Sequence, residues 1–194
     1  MAATPSVSET QLTPHSRVML QLARRAIQHG LVSAGLLPIT ETDFPAVLQM
    51  PGAAFVTLHR HRQLRGCIGN LEPRQSLVRE IAANAYGAAF QDPRFDPLTI
   101  EEVDDLHIEI SVLTPKEPII HDSEAELLAT LQPGIDGLVL VEGRHRSTFL
   151  PAVWEQLPDP QQFLAQLKRK AGLPADHQSA TLEAYRYRTV SFGE

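Results

Sequence analysis

Residues 64–69 of the chain place a nucleophile close to a cation. Cys67 is the only cysteine among 194 residues, and Arg65 precedes it by two positions. If this segment is a strand, both side chains project from one face, and a nearby guanidinium favours the thiolate form of a cysteine. A thiolate is a useful nucleophile near neutral pH. The alternative is that Cys67 is an unreactive side chain that is buried or merely lines a site, as free cysteines often do.

Two glycines in the same segment indicate an accessible backbone. Gly66 and Gly69 have no side chain, so a ligand can approach the strand closely at these positions. We therefore predict that both glycines, together with Arg65, contribute to a ligand-binding surface around Cys67.

A polar stripe occupies one side of a second predicted strand, residues 107–113. Glu109, Ser111 and His107 alternate with apolar residues, so they share a face that lies towards either solvent or a cleft. We predict that Glu109 and Ser111 belong to the site and that His107 faces solvent. If the site is catalytic, Cys67 is the predicted nucleophile and Glu109 the predicted proton acceptor.

A proline-rich loop supplies a further pair of charges. Asp92 and Arg94 flank Pro93, and the fixed donor fork of an arginine suits a polar ligand. We predict that they help to bind the ligand. The alternative is a local Asp–Arg pair that only shapes the loop.

Other polar clusters indicate no metal or cofactor. His59 and His61 lie two residues apart, but a zinc site needs at least three protein ligands and no second cluster is evident. The basic residues 168–170 are typical of a helix C-terminus, where cations interact favourably with the helix dipole. No metal and no cofactor is therefore predicted.

The elements that must position these residues follow from periodicity and end signals. Residues 1–13 predict a flexible arm because they have no apolar period, and residues 14–194 are expected to form the domain. Helical spacing, capping patterns and strand alternation predict the following order: helix 14–30, strand 53–61, strand 64–68, helix 73–90, capped turn 99–102, strand 107–113, helix 123–131, strands 138–141 and 147–150, helix 159–171 and strand 185–192. Interleaved helices and hairpins favour an α+β fold around a largely antiparallel sheet.

Composition excludes several classes of protein. A net charge of −6 with no basic aromatic cluster makes nucleic-acid binding unlikely. The chain has no apolar run long enough for a transmembrane helix and no signal-peptide pattern, so no membrane association and a cytoplasmic location are expected. A single cysteine agrees with a reducing compartment.

Several sequence blocks resemble a known family. They are 64–69 (LRGCIG), 52–58, 92–95 (DPRF), 109–113 (EISVL), 134–138 (GIDGL), 150–151 and 170–174 (KAGLP). In this order they resemble the AMMECR-type domain family, known in prokaryotes as AmmeMemoRadiSam system protein A, over residues 15–193. The sequence departs from the family pattern at residues 152–153 and 59–61.

The resemblance implies a mixed fold with a larger and a smaller subdomain, and an association with Memo-like and radical-SAM proteins. It implies no single reaction. Two functions therefore compete: an enzyme or accessory subunit that acts on a small polar substrate in a cleft around Cys67, and a non-catalytic module that presents the same surface to a partner protein or a modified peptide.

Overall fold

Residues 9–194 are described by a computed structural model, in which they form two compact units. The larger unit contains the described residues up to Thr114 together with Val190–Glu194, and the smaller unit is Pro115–Thr189. Each unit has its own apolar core and a four-stranded antiparallel sheet. The predicted α+β class is therefore confirmed.

The helices and strands follow one another in a mixed order. In the larger unit they are α1 (Glu9–Leu12), α2 (Ser16–Ser33), α3 (Ala46–Gln49), β1 (Ala54–Arg60), β2 (Gln63–Gly69), α4 (Leu77–Phe90) and β3 (Leu106–Leu113), with 3-10 turns at Thr13–His15, Glu41–Asp43 and Ile100–Asp105. The smaller unit has β4 (Glu117–Ile119), α5 (Glu124–Thr130), β5 (Gly137–Glu142), β6 (His145–Phe149), a 3-10 turn at Pro151–Glu155, α6 (Pro160–Lys170) and β7 (Glu183–Tyr187). The last strand, β8 (Thr189–Gly193), pairs with β3.

The sheet of the larger unit has the strand order β2-β1-β3-β8. Alternation along β1 and β3 separates a buried face from a half-buried polar face. The buried face packs against α2 and α4, whose apolar residues complete the core. The predicted site residues of β3, Glu109 and Ser111, lie on the other face.

Small residues let α4 approach the sheet closely. A side chain at Gly87 of α4 would lie 3.1 Å from Ile68 of β2, and a side chain at Gly66 of β2 would lie 2.0 Å from the carbonyl oxygen of Ala88. The alanine-rich sequence of α4 therefore brings the helix backbone almost into contact with β2.

The smaller unit has the strand order β4-β7-β5-β6 and a separate core. Trp154 and Phe163 stack there with ring centroids 3.7 Å apart, and the Trp154 indole donates to the carbonyl of Asp136 at 2.7 Å. The predicted hairpin of strands 138–141 and 147–150 is present as β5 and β6.

The predicted arm, residues 1–13, needs correction at its C-terminal end. Residues 1–8 lie outside the described residues, whereas residues 9–12 form α1 and Leu12 is completely buried. A lone leucine has no period that sequence analysis can detect, yet it is part of the core.

Other element bounds also differ from the prediction. The strand predicted at 185–192 is two strands, because β7 and β8 pair with different sheets on either side of Arg188. Residues 73–76 precede α4 instead of opening it, since the backbone of Gln75 and Ser76 pairs with residues 51–52. No helix among residues 9–194 is long and apolar enough to cross a membrane.

Candidate functional site

A row of three residues crosses the polar face of the sheet in the larger unit. Thr57 on β1 lies opposite Cys67 on β2 and also opposite Glu109 on β3. Residues opposite one another in antiparallel strands project from the same face. Cys67 and Glu109 are therefore on one face, separated by Thr57, and all three are half-buried.

Thr57 contacts the thiol directly. Its hydroxyl donates a hydrogen bond to the Cys67 Sγ atom at 3.4 Å. This hydrogen bond fixes the sulfur beside the Thr57 hydroxyl on the polar face. Thr57 carries no signal of its own in the sequence, because its contact with Cys67 depends on the strand register.

The loop 92–95 holds the outer edge of β2 at Cys67. The Asp92 carboxylate accepts from the Cys67 backbone N–H at 2.8 Å, and the Arg94 guanidinium donates to the Cys67 carbonyl at 3.3 Å. Arg94 also donates to Asp92 from Nε at 2.9 Å and from Nη2 at 2.6 Å. The Asp–Arg pair therefore does more than shape its own loop, because it satisfies both backbone groups of Cys67 on an edge strand.

Burial and charge reinforce this arrangement. The Asp92 side chain is only 2% exposed, whereas that of Arg94 is 54% exposed. Hydrogen bonds from Arg94, and then from the Cys67 backbone, hold the pKa of Asp92 well below its ordinary value, and the same pair raises the pKa of Arg94. Asp92 is thus a buried anion with its oxygens occupied, while Arg94 keeps an exposed surface.

Arg65 is committed to an ion pair at the same edge. It donates to the Glu102 carboxylate from Nε at 2.8 Å and from Nη2 at 2.9 Å, and to the Asp96 carbonyl at 3.0 Å. A register shift leaves Arg65 without a partner on β1, so the regular alternation that predicted a shared face with Cys67 is interrupted there. Bidentate pairing instead makes Arg65 a connection between β2 and the turn Ile100–Asp105.

Glu102 has two structural roles. It completes the predicted capping box with Thr99, and it receives hydrogen bonds from Arg65 and Arg60. The hydrogen bond from Arg65 is the main reason that the pKa of Glu102 falls to about 2, and Glu102 in turn raises the pKa of Arg65. The capping pattern indicated this residue, but nothing in the sequence indicated its arginine partners.

Gly66 and Gly69 allow other parts of the protein to pack closely against β2. A side chain at Gly66 would collide with the Ala88 carbonyl, and one at Gly69 would lie 2.3 Å from the ring of Phe55. The prediction that they open the backbone to a ligand is therefore wrong in its reason, because α4 and Phe55 occupy the space in question.

The polar side chains on β3 differ in their exposure and in their hydrogen bonds. Ser111 exchanges a hydrogen bond of 2.8 Å with Ser191 of β8, and His107 is exposed as predicted. Glu109 has no hydrogen bond or ion pair among residues 9–194, although its side chain is half-buried. A half-buried carboxylate without a protein donor is available to a ligand.

Comparison with known proteins identifies the family of this chain and several of its relatives. The model of the AMMECR1 family matches residues 20–192. The chain belongs to the AMMECR1 family. A protein from Methanothermobacter thermautotrophicus is 37% identical over 180 residues, covering 92% of this chain and 93% of its relative. A second protein, from Methanocaldococcus jannaschii, is 37% identical and covers 90% and 88%.

A crystal structure of an uncharacterized protein from Pyrococcus horikoshii has the same fold. Its TM-score to this chain is 0.81 at 34% sequence identity, and the superposition covers 93% of this chain and 92% of that protein. The similarity extends through both units of the fold. The family resemblance drawn from the sequence blocks is therefore confirmed.

In this AMMECR1-family chain, the predicted site residues form two groups. Arg65, Asp92 and Arg94 meet around the outer edge of β2, where the Arg65 and Arg94 guanidiniums lie 5.8 and 5.5 Å from the centroid of the Phe95 ring. Cys67 and Glu109 belong to the row on the polar face. Cys67 joins the groups, since its backbone contacts the first and its side chain belongs to the second.

No cluster suited to a metal ion is present in the part of the chain that the structure describes. His59 lies opposite His107 on β3, whereas His61 is in the tight turn between β1 and β2. His59 and His61 are therefore separated by a change of backbone direction.

Proposed function

We propose that the row Cys67–Thr57–Glu109, with Ser111 beside it, binds a small polar ligand or a modified peptide. The observation that carries this proposal is the half-buried Glu109 carboxylate, which has no donor among the described residues. The neighbouring carboxylates, Asp92 and Glu102, are paired with arginines within the protein, so Glu109 is the acidic group with capacity for a new partner. Arg65 and Asp92 then act by positioning Cys67, and exposed Arg94 borders the surface.

The row defines the chemistry of the ligand. An ionised carboxylate accepts hydrogen bonds only, so Glu109 favours a cationic group or another donor. Strands are about 4.8 Å apart, which places the Cα atoms of Cys67 and Glu109 about 9.6 Å apart. A ligand of a few bonded atoms fits this span, with its donor end at Glu109 and its other end at the sulfur.

The catalytic form of this proposal makes Cys67 the nucleophile and Glu109 the proton acceptor. Thr57 separates the two, so Glu109 takes a proton from the bound substrate and not from the thiol. The hydrogen bond from the Thr57 hydroxyl holds the sulfur of this nucleophile in place. The non-catalytic alternative uses the same surface to hold a partner protein or a modified peptide.

Partners are proposed from the family resemblance. We propose that the chain works in the cytoplasm as an enzyme or accessory subunit beside Memo-like and radical-SAM proteins. The exposed side of Arg94 and the row itself are then the surface on which a shared small molecule or peptide is presented. No role in nucleic-acid binding is proposed, because the net charge is −6.

Charged thiol reagents test whether Glu109 selects cations at this surface. Methanethiosulfonates with aminoethyl, methyl and sulfonatoethyl groups form mixed disulfides with Cys67 and release methanesulfinate. At about 9.6 Å in water, one charge changes the interaction energy by about 0.4 kcal/mol, or about 2-fold in rate. Glu109→Gln should therefore lower the ratio of cationic to anionic labelling rates by about 4-fold at roughly 10 mM salt, where screening is weak.

A matched control removes one acidic charge on the helix side of the same unit. Asp43 is exposed, and its turn is linked to α4 through the Glu41–Arg79 ion pair. Asp43→Asn should leave the ratio of cationic to anionic labelling rates unchanged. Glu109→Gln should leave the labelling rate of the neutral methyl reagent unchanged. Equal ratios in the parent and Glu109→Gln would show that Glu109 does not act on ligands at Cys67.

A further inference from the structure

The smaller unit contains a cavity that is separate from the Cys67 site. It has a volume of about 590 Å³ and lies where the segment before α5 meets residues 177–182. Small-molecule sites commonly have volumes of about 300–1,000 Å³. Every residue that lines the cavity belongs to Pro115–Thr189, so this site and the proposed function of the larger unit are independent.

The cavity has an apolar wall and a polar rim. Leu127 of α5, Leu164 of α6 and Leu182 before β7 supply apolar surface. Asp122 and His177 are among the polar residues around it. This division suits a molecule with an apolar body and one polar head.

The charged groups at the cavity have a negative balance. Glu124 lines it, but its carboxylate is paired with the buried Lys168 ammonium at 2.5 Å. The exposed Asp122 side chain has no hydrogen bond or ion pair among the described residues. Glu142 is not among the lining residues, but it accepts hydrogen bonds from Ser179, which lines the cavity, at 2.8 Å and from Thr181 at 2.7 Å. The lining residues include Asp122 but no lysine or arginine, so the cavity attracts a cation.

His177 provides an incompletely satisfied polar group at the same place. Its Nε2 atom is buried and has no hydrogen-bond partner, and it lies 4.0 Å from the Glu142 carboxylate. Buried polar atoms usually have partners, so an unpartnered nitrogen in a cavity-lining ring is a group that a bound molecule can reorganise and satisfy.

We infer that this cavity binds a small organic amine, with its apolar body against Leu127, Leu164 and Leu182 and its ammonium group at Asp122. The test uses three six-carbon probes of equal length and different heads: hexylammonium, 1-hexanol and hexanoate. Each is titrated into the full-length, ¹⁵N-labelled protein, and the amide shifts of Ala125 and Ser179 are followed. Hexylammonium should bind at about 1–10 mM, as expected for so small a ligand, and at least 5-fold more tightly than hexanoate.

Two variants separate the head from the body. Asp122→Asn should weaken hexylammonium binding about 3-fold or more and leave 1-hexanol unchanged, whereas Asp43→Asn should change neither. Ala125→Phe places a ring in the cavity from an exposed helix position and should abolish the shifts with all three probes. Folding of each variant is read from the same spectra.

Several outcomes would overturn the inference. Equal binding of hexanoate and hexylammonium, shifts away from the lining residues, unchanged binding to Ala125→Phe, or no shift up to about 20 mM would each show that the cavity is not an amine site. Failure of the Cys67 experiment would leave these results unaffected, since the two sites share no residue.

Discussion

Replacing Asp92 by asparagine should release the outer edge of β2 at Cys67. In the parent, one carboxylate oxygen accepts from the Cys67 N–H at 2.8 Å and from Arg94 Nη2 at 2.6 Å, while the other accepts from the Arg94 backbone and Nε. Both oxygens therefore face donors. An asparagine replaces one of these oxygens with an NH₂ group. That NH₂ group then faces the N–H donors that the oxygen accepted from in the parent.

The magnitude follows from the burial of the two partners. Breaking a buried ion pair costs about 3–5 kcal/mol, and hydrogen bonds to charged groups contribute about 1.5–3 kcal/mol each. Arg94 is 54% exposed, and water can satisfy its guanidinium after the change, which lowers the cost. We expect Asp92→Asn to destabilise the β2 edge by about 2–4 kcal/mol.

Amide hydrogen exchange at Cys67 is the appropriate assay. The single tryptophan, Trp154, belongs to the smaller unit, so its fluorescence does not report on β2. A loss of about 2–4 kcal/mol corresponds to exchange that is roughly 30- to 900-fold faster at the Cys67 amide. Asp43→Asn is the matched control and should leave this rate unchanged. If the Cys67 amide exchanges as slowly in Asp92→Asn as in the parent, Asp92 does not hold the edge of β2 in place.

Three further predictions use independent features. Gly66→Ala should destabilise the larger unit by about 3 kcal/mol in chemical denaturation, because its Cβ would lie 2.0 Å from the Ala88 carbonyl. Gly35→Ala should be tolerated, since its Cβ would make only an ordinary contact with the Ser33 carbonyl at 3.7 Å; equal stabilities would contradict this. Because its folded pKa of about 2 lies below its ordinary 4.5, Glu102 stabilises the fold above about pH 4.5 and loses that contribution as the pH falls towards 2, so Glu102→Gln should flatten the acid limb of a stability–pH curve. Cys67→Ser and Cys67→Ala should both retain stability within about 1 kcal/mol, since the thiol is half-buried beside a hydroxyl; a markedly destabilised serine variant with an inert parental thiol would contradict this.

Local signals in the sequence were sufficient to predict much of the fold. The β1–β2 hairpin, the capping box of Thr99 with Glu102 and the Ser123 cap of α5 each depend on residues a few positions apart. Propensity and capping act over such distances, so these features can be recognised in a single sequence. The buried face of α2 could be predicted for the same reason.

Features that depend on tertiary pairing could not be predicted. Residues 185–192 have the alternation of one strand, but the alternation does not specify that β7 and β8 join different sheets. The three-residue strand β4 is too short to give a period, and Leu12 is a single buried contact.

The candidate site divides in the same way. The motif and the polar stripe identified Cys67 and Glu109, and their common face follows from the alternation of each strand once the register is known. The register itself brings Thr57 between them, and the bulge opposite Leu58 and His59 redirects Arg65 to Glu102. Both depend on long-range pairing, which a single sequence does not contain.

A structure of the protein carrying an aminoethyl disulfide on Cys67 tests the proposed ligand surface most directly. The aminoethyl group carries an ammonium from the Cys67 sulfur across Thr57. Together with the Glu109 side chain, it can bridge about two strand spacings. We predict that the ammonium group lies within hydrogen-bonding distance of the Glu109 carboxylate, and that it loses this fixed position in Glu109→Gln. An ammonium group that points away from Glu109 in the parent, or that occupies the same place in both proteins, would contradict the proposal that this row selects the ligand.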